Sequence, residues 1–431
     1  MPRNFEFTSL DIVEMIREFD AVEMNREFDV VVWGATGFTG KWVAKYLFEQ
    51  YQGTNLKWAI AGRNTEKIQE VRSFIGDEDG RIPSILADST QEESLRSMVA
   101  STKVIITTVG PYAYYGSLLV KVCAELGTHY VDLSGEAPWI RRMVDSYQGT
   151  AEKSGARIVN CCGFDSIPSD MGTFYIQQKA KQLHGEYLDE VRFVLKKMKG
   201  GASGGTIHSM FNVLKEAVED KAVRQLLANP YSLNPDPKFK GPDRKDQTQP
   251  VYDSGNEVWT APFVMAAINT RVVRRGHAVL GFPYGENFKY SETMVTQKGI
   301  KGRLQAASIA YGLMLFTGIG ITNLGRKFLA KLLPSQGEGP EVNSDNPGYY
   351  IIDFYGKTSN GKRLVARVKG DSDPGYGSTS KMLAESAVCL ALDEKDLEVA
   401  GGFWTPASAM GNQLLERLQK NAGLSFEITQ K

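Results

Sequence analysis

From Phe28 onward, short apolar runs alternate with amphipathic stretches of helical length. Strand-like runs fall at 28–33, 57–61, 83–87, 103–108, 129–132 and 157–161, and helical spacing fills 38–51, 64–75, 90–100, 115–127 and 137–154. Strands that read as nearly unbroken apolar runs are buried on both faces, and a helix-length connection is what a parallel neighbour requires. The first part of the chain is therefore expected to be an α/β unit, a doubly wound parallel sheet covered by helices on both sides. After about Ser169 the rhythm changes. Helical stretches at 170–183 and 207–228 flank the turn Gly200-Gly201-Ala202-Ser203-Gly204-Gly205. Alternating segments at 188–198, 272–280, 348–356 and 363–369 predict a second, α+β domain with a mostly antiparallel sheet, and helices near 379–393 and 408–421 close the chain.

These patterns divide the chain into an N-terminal extension, 1–26, a first domain, 27–168, and a second domain, 169–378. A C-terminal pair of helices, 379–431, is expected to pack back on the first domain. Helical spacing at 9–20 lies in the extension and carries no chemistry. The stretch 229–257 is rich in Pro, Asp, Asn and Lys with little periodicity, and reads as a long surface loop able to order over a ligand.

Composition narrows the function classes. With 431 residues the chain exceeds what one core supports, and its 42% hydrophobic and 23% charged residues are those of a folded protein. Lys plus Arg and Asp plus Glu are equal at 50 each, so no global field draws the molecule to nucleic acid, and none is expected as a partner. The four cysteines, Cys123, Cys161, Cys162 and Cys389, and the four scattered histidines have no metal-ligand spacing, so no metal site is expected. A reducing, cytoplasmic setting fits this cysteine usage, and the acidic first 25 residues do not resemble an export signal.

The first strand runs into Gly34-Ala35-Thr36-Gly37-Phe38-Thr39-Gly40, and a helix follows. That context makes the glycines a dinucleotide fingerprint, the mark of a Rossmann domain. Gly34 permits the tight turn, Gly37 lets backbone approach a pyrophosphate, and Gly40 allows the helix close to the strand. Backbone N–H groups from Phe38 onward, with the Thr36 and Thr39 hydroxyls, then face the phosphates. The second strand ends Ala61-Gly62-Arg63, a cation where NAD-preferring sites present an acid. Arg63 is either a bidentate partner of a 2′-phosphate, helped by Asn64 and Lys67, or a solvated surface residue; the first reading selects NADPH over NADH. Asp88 is either an adenine contact or, with Ser89, a helix cap.

Ligands of open α/β sheets bind beyond the carboxyl ends of the strands. The loop Val109-Gly110-Pro111-Tyr112 follows the fourth strand and is expected near the nicotinamide, with Gly110 and Pro111 beside the cofactor. Tyr112 either stacks on the ligand or donates a proton, or it caps the sheet. The fifth strand ends in Asp132-Leu133-Ser134-Gly135-Glu136 and the sixth in Cys162-Gly163-Phe164-Asp165-Ser166-Ile167-Pro168. Asp165 and Ser166 are catalytic candidates or caps of the next helix.

Taken in order, Gly34 to Gly40, Ala61-Gly-Arg63, Val109-Gly-Pro-Tyr112, Asp132-Leu-Ser-Gly-Glu136 and Gly163-Phe-Asp-Ser-Ile-Pro168 carry a likeness. The chain resembles the saccharopine dehydrogenase-like oxidoreductases, and within them the bacterial trans-acting enoyl reductases. The likeness extends through Thr260 to Arg275 and Gly401 to Pro406. It implies an NADPH-dependent enoyl reductase that saturates a carbon–carbon double bond of an acyl, lipid or polyketide intermediate carried by a carrier or synthase. Amino-acid chemistry of the saccharopine dehydrogenase type is the alternative, with Arg271, Arg274 and Arg275 as its cations. A non-catalytic nucleotide-binding scaffold at a lipid surface is another.

From Leu304 to Leu324 there is no charged residue. Lys298, Lys301 and Arg303 flank one end and Arg326, Lys327 and Lys331 the other. Three readings suit such a stretch: a helix buried in the core or in a homo-oligomer interface, a peripheral contact with the plasma membrane or another lipid surface, or a bilayer span.

Overall fold

Two seven-stranded sheets carry the molecule, described here by a computed structural model over residues 26–201, 204–236, 238–333 and 347–430. The helical spacing at 9–20 lies outside these residues. The first half alternates strand and helix: β1 (Phe28–Trp33), α1 (Phe38–Gln50), β2 (Trp58–Gly62), α2 (Thr65–Ile75), β3 (Ser84–Leu86), α3 (Glu92–Ala100) and β4 (Thr102–Thr107). Next come α4 (Tyr112–Tyr115), α5 (Ser117–Leu126), β5 (His129–Val131), α6 (Ala137–Ser154), β6 (Arg157–Val159) and α7 (Ile167–His184). All pair in parallel, and side chains alternate between two cores as a pleated strand requires. Val30 and Val32 join one layer with Val43 and Leu47 of α1, while Val31 and Trp33 join the other with Leu119 and Trp139. Burying each such valine stabilises the fold by about 1.5–3 kcal/mol relative to exposure.

The second half contains β7 (Glu190–Lys199), α8 (Gly204–Glu219), α9 (Lys221–Ala228), β8 (Val251–Asp253), β9 (Val258–Pro262), α10 (Ala266–Val279) and β10 (Lys289–Val295). It continues with α11 (Gly299–Ile321), α12 (Asn323–Leu332), β11 (Tyr349–Lys357), β12 (Arg363–Gly370), α13 (Gly377–Leu392), β13 (Gly402–Trp404), α14 (Pro406–Lys420) and β14 (Leu424–Gln430). The second sheet has the order β14-β12-β11-β7-β10-β9-β8 and is antiparallel except where β10 meets β7. The expected fold class, a parallel Rossmann sheet with a mostly antiparallel partner, is the one observed.

The C-terminal segment, expected as two helices on the first domain, also holds two strands: β14 closes the second sheet, while β13 and α13 return to the first. β13 adds beside β6 in parallel, giving the order β13-β6-β5-β4-β1-β2-β3. α13 is buried along nearly its whole length and shares a core with Val30, Val104 and Val43. Tyr46 and Tyr51 of the α1 region donate to the same oxygen of the buried Glu385 on α13, at 2.7 and 2.6 Å, which ties the first crossover helix to this returning one.

Three sequence expectations need correction. Segment 272–280, expected as a strand, lies almost wholly in α10, which is buried nearly all round, its arginines included. Helical periodicity vanishes when polar and apolar positions are equally enclosed. Second, the stretch 229–257, expected as one long loop, contains β8, and part of its earlier half is bonded to α10. Arg271 reaches Asp246 and the Leu227 carbonyl, Arg274 reaches Asp243 and the carbonyls of Pro230 and Tyr290, and Arg275 reaches the carbonyls of Leu233 and Phe403. Third, α11 covers the uncharged stretch but is not a core helix: only Gly302, Ala306, Ala310 and Gly320 are buried.

Candidate active site

The order of the first sheet reverses between β1 and β4, and beyond the carboxyl ends of its strands lies a cavity of about 570 Å³. This is the switch point where open α/β sheets take ligands. Its floor comes from strand ends: Gly34 and Thr36 to Thr39 after β1, Gly62 and Arg63 after β2, Thr108 to Gly110 after β4, Leu133 and Gly135 after β5, and Asp165 after β6. The opposite wall belongs to the second half, with Ile207, Ser209, Met210 and Val213 of α8, Leu227 of α9, and Val264 to Ile268 at the start of α10, Ala266 excepted.

The glycine loop has the shape a dinucleotide needs. Gly34 has φ +83°, where a side chain is strained, and a Cβ there would come within 2.6 Å of Val109. At Gly40 a Cβ would lie 2.1 Å from the Gly34 carbonyl oxygen, so glycine is what lets α1 begin against the turn. Gly37 is the N-cap of α1, and no side chain caps the helix. The first N–H groups of α1 therefore lack side-chain acceptors at the edge of the cavity, a suitable seat for a diphosphate. A Cβ at Gly37 would meet only the Gly34 carbonyl, at 3.4 Å, leaving backbone accessible where a phosphate would approach.

Arg63 is exposed and lines the cavity at the end of β2. Asn64 is exposed and serves as the N-cap of α2, accepting from the Lys67 amide at 2.8 Å, and it is not among the residues lining the cavity. Asp88 is neither in the cavity lining nor the cap of α3, whose N-cap is Gln91. Its carboxylate accepts from the Thr90 amide and hydroxyl at 2.8 and 2.7 Å, and these bonds hold its pKa below the ordinary value. Ser89, beside it, does line the cavity. Gly110 lines the cavity, while Pro111 stands behind it as the N-cap of α4.

Among the catalytic candidates, Tyr112 turns its hydroxyl inward. It donates to the Thr107 carbonyl at 3.1 Å and accepts from the Leu133 amide at 3.4 Å, and burial pushes its pKa far upward. A hydroxyl so engaged braces the ends of β4 and β5, while Tyr112 itself is among the residues that line the cavity. Ser166 is also turned away: fully buried at the N-cap of α7, it donates to Asn269, which donates in turn to Glu292. Asp165 differs. It lines the cavity, takes no side-chain hydrogen bond among the described residues, and burial alone raises its pKa to about 6. A carboxyl that loses hydration without gaining a partner holds its proton to higher pH.

Two residues unassigned from sequence join the wall to the first sheet. Glu136 accepts from the Tyr112 and Ala113 amides at 2.8 and 3.0 Å and from the Ser209 hydroxyl at 2.9 Å, while Ser209 itself lines the cavity. This carboxylate satisfies the start of α4 and latches α8 to the first sheet. Sequence could not pair two residues 73 positions apart. Nor are Arg271, Arg274 and Arg275 the cations of an amino-dicarboxylate site, because their bonds commit them to bracing 227–246. Among the described residues, Arg63 is the single cation in the cavity lining.

Comparison with known proteins gives concordant findings. Residues 30–159 match the family model described as the saccharopine dehydrogenase NADP binding domain. A Mycobacterium tuberculosis protein, provisionally named a trans-acting enoyl reductase, is 40% identical over 410 residues, covering 93% of this chain and 97% of the relative. A protein of Mycobacterium bovis named trans-acting enoyl reductase is 37% identical over 401 residues, 90% of this chain and 94% of its own. In structure the chain is similar to apo saccharopine dehydrogenase (L-Glu forming) from Saccharomyces cerevisiae, with TM-score 0.53 and 11% identity over 94% of this chain and 100% of the other.

Proposed function

This chain belongs to the family of trans-acting enoyl reductases, and on that premise we propose that it uses NADPH to saturate a carbon–carbon double bond conjugated to the carbonyl of an acyl or polyketide chain. The observation that carries the reading is the partition of the cavity. The strand-end floor has the glycine loop, uncapped helical amides, Arg63 and one carboxyl, Asp165; the facing wall is lined by Ile207, Met210, Val213, Met265 and Ile268. An apolar wall suits a hydrocarbon chain, and the lack of a second cation in the lining disfavours the amino-dicarboxylate alternative.

The amides from Phe38 onward with the Thr36 and Thr39 hydroxyls would hold the dinucleotide's diphosphate, and Arg63 would pair with the 2′-phosphate. When bound, the cofactor supplies a hydride to the carbon β to the carbonyl. The protonated Asp165 carboxyl delivers the proton to the α carbon and leaves as a carboxylate. Its environment suits that role, since burial raises its pKa to about 6, closer to neutrality than an exposed carboxyl. Tyr112 and Glu136 act as positioning residues that hold the strand-end loops and α8 around the reacting atoms. A carrier- or synthase-bound substrate fits the family, because the acyl chain alone needs to enter the cavity.

The test is NADPH oxidation by the purified full chain over a panel of trans-2-enoyl thioesters of increasing length, with NADPH and NADH affinity read from nicotinamide fluorescence. Arg63→Ala is expected to weaken NADPH binding by roughly ten- to a hundredfold, the worth of a charge-assisted pair, and to leave NADH binding unchanged. Tight NADPH binding with no turnover on any enoyl thioester would overturn the catalytic reading. An unaltered preference in Arg63→Ala would overturn the role of Arg63.

A further inference from the structure

One surface has chemistry that the proposed reaction does not use. On α11, Ile300, Leu304, Tyr311, Met314, Leu315 and Ile321 are all exposed, Leu304 by 66% and Leu315 by 65%. At 3.6 residues per turn these six fall in one sector of about 120°, away from the buried Gly302, Ala306 and Gly320, with buried Ala310 at its margin. The apolar strip continues onto α12 with Leu324, Phe328 and Leu332, Leu324 being 82% exposed. A water-facing strip of this extent on a helix about 34 Å long is far from the scattered apolar residues of an ordinary surface.

Charge says what covers it. From Lys298 to Leu332 there are six Lys and Arg and no Asp or Glu. Lys298 is 3.6 Å from Glu257 and Arg303 lies over the Trp259 ring, while Lys301, Lys327 and Lys331 project into solvent. A second copy laid on this strip in either direction would set cation against cation, whereas an anionic bilayer complements both the charge and the apolar strip. The small residues of α11 keep one side of the helix on the protein body, so it lies along the surface and does not stand clear of it to span.

The strip also adjoins the cavity. α8 lines the cavity with Ser209, Met210 and Val213, and on its other side Phe211 stacks on Phe316 of α11, with ring centroids 5.7 Å apart. Ile207 belongs to the cavity lining and also to the cluster holding Leu329 of α12. We propose that α11 and α12 form a docking surface for an anionic lipid bilayer, holding the acyl cavity one helix away from the membrane so that lipid-borne chains reach it. The delivery part of this rests on the acyl-reductase reading; the docking part does not.

The test is flotation of the full chain with vesicles of phosphatidylcholine alone or with about 30 mol% phosphatidylglycerol. Binding is expected to the anionic vesicles, with loss at high salt. The triple variants L304Q/L315Q/L324Q and K301E/K327E/K331E should each bind at least about tenfold less, with NADPH affinity unchanged as the measure of folding. On a long-chain enoyl ester embedded in vesicles these variants should lose activity, while a soluble short-chain enoyl thioester is reduced as before. Equal binding to both vesicles, no binding, or a dimer that the substitutions split into monomers would overturn the docking surface. Vesicle binding without turnover on either substrate would overturn the delivery and the reductase reading, and leave the docking intact.

Discussion

Replacing Asp165 by Asn separates stability from catalysis. In an unfolded chain its carboxyl titrates near 3.8, and in the cavity wall burial raises it to about 6. The folded pKa is the higher one, so the native state binds this proton more tightly and loses stability as pH rises from about 4 to about 6, after which the cost is constant. About two units correspond to about 3 kcal/mol, an upper bound because part of the residue opens to the cavity. Asparagine keeps the shape and carries no charge to desolvate. Asp165→Asn should therefore be more stable than the parent by about 1–3 kcal/mol at pH 8, and by about 1 kcal/mol less than that at pH 5. Thermal unfolding at both pH values reads this as a melting-temperature gain of a few degrees that shrinks in acid. The same variant should lose roughly a hundredfold or more in kcat, and the parent's kcat should fall above a pKa at or above about 6. A variant no more stable at pH 8 than at pH 5, relative to the parent, would refute the claim that this carboxyl is held without a partner. Unchanged kcat would refute its role as the acid.

Two further substitutions probe the frame around it. Gly40→Ala drives a methyl to within 2.1 Å of the Gly34 carbonyl and should cost about 1–3 kcal/mol while abolishing NADPH binding; Gly149→Ala in the interior of α6, where a methyl meets nothing within 4 Å, should leave NADPH binding unchanged and raise stability by about 0.5–1 kcal/mol. Arg274→Met leaves Asp243, 4% exposed and 2.8 Å from the arginine, as an unpaired buried charge, and should cost about 3–5 kcal/mol in urea unfolding; adding Asp243→Asn should recover a large part.

The sequence revealed the first sheet and the diphosphate seat because both are written locally: apolar runs of strand length, a glycine loop between strand and helix, a cation after β2. What it hid depends on distant partners. α10 was unreadable because Arg271, Arg274 and Arg275 sit inside the protein, bonded to loop carbonyls, so polarity along the chain no longer reports exposure. The reversal of Tyr112 was hidden for the same reason: a hydroxyl's direction is set by the Leu133 amide and the Thr107 carbonyl, which come together only when β4 and β5 pair. Asp165 emerged from alternatives that the sequence left open, because the missing hydrogen bond that singles it out is a property of its surroundings. The latch between Glu136 and Ser209 joins two halves of the chain and has no local signature.

β13 and α13 have a further consequence, in the order of synthesis. The strand that flanks β6 and the helix that covers one face of β1 and β4 are translated after the whole second sheet but its last strand. A nascent chain ending before Gly377 has the nucleotide-binding sheet with an open edge and a bare apolar face, and must wait on the ribosome for its cover. A fragment cut to residues 30–159, which lacks this cover, should therefore aggregate more readily than the full chain.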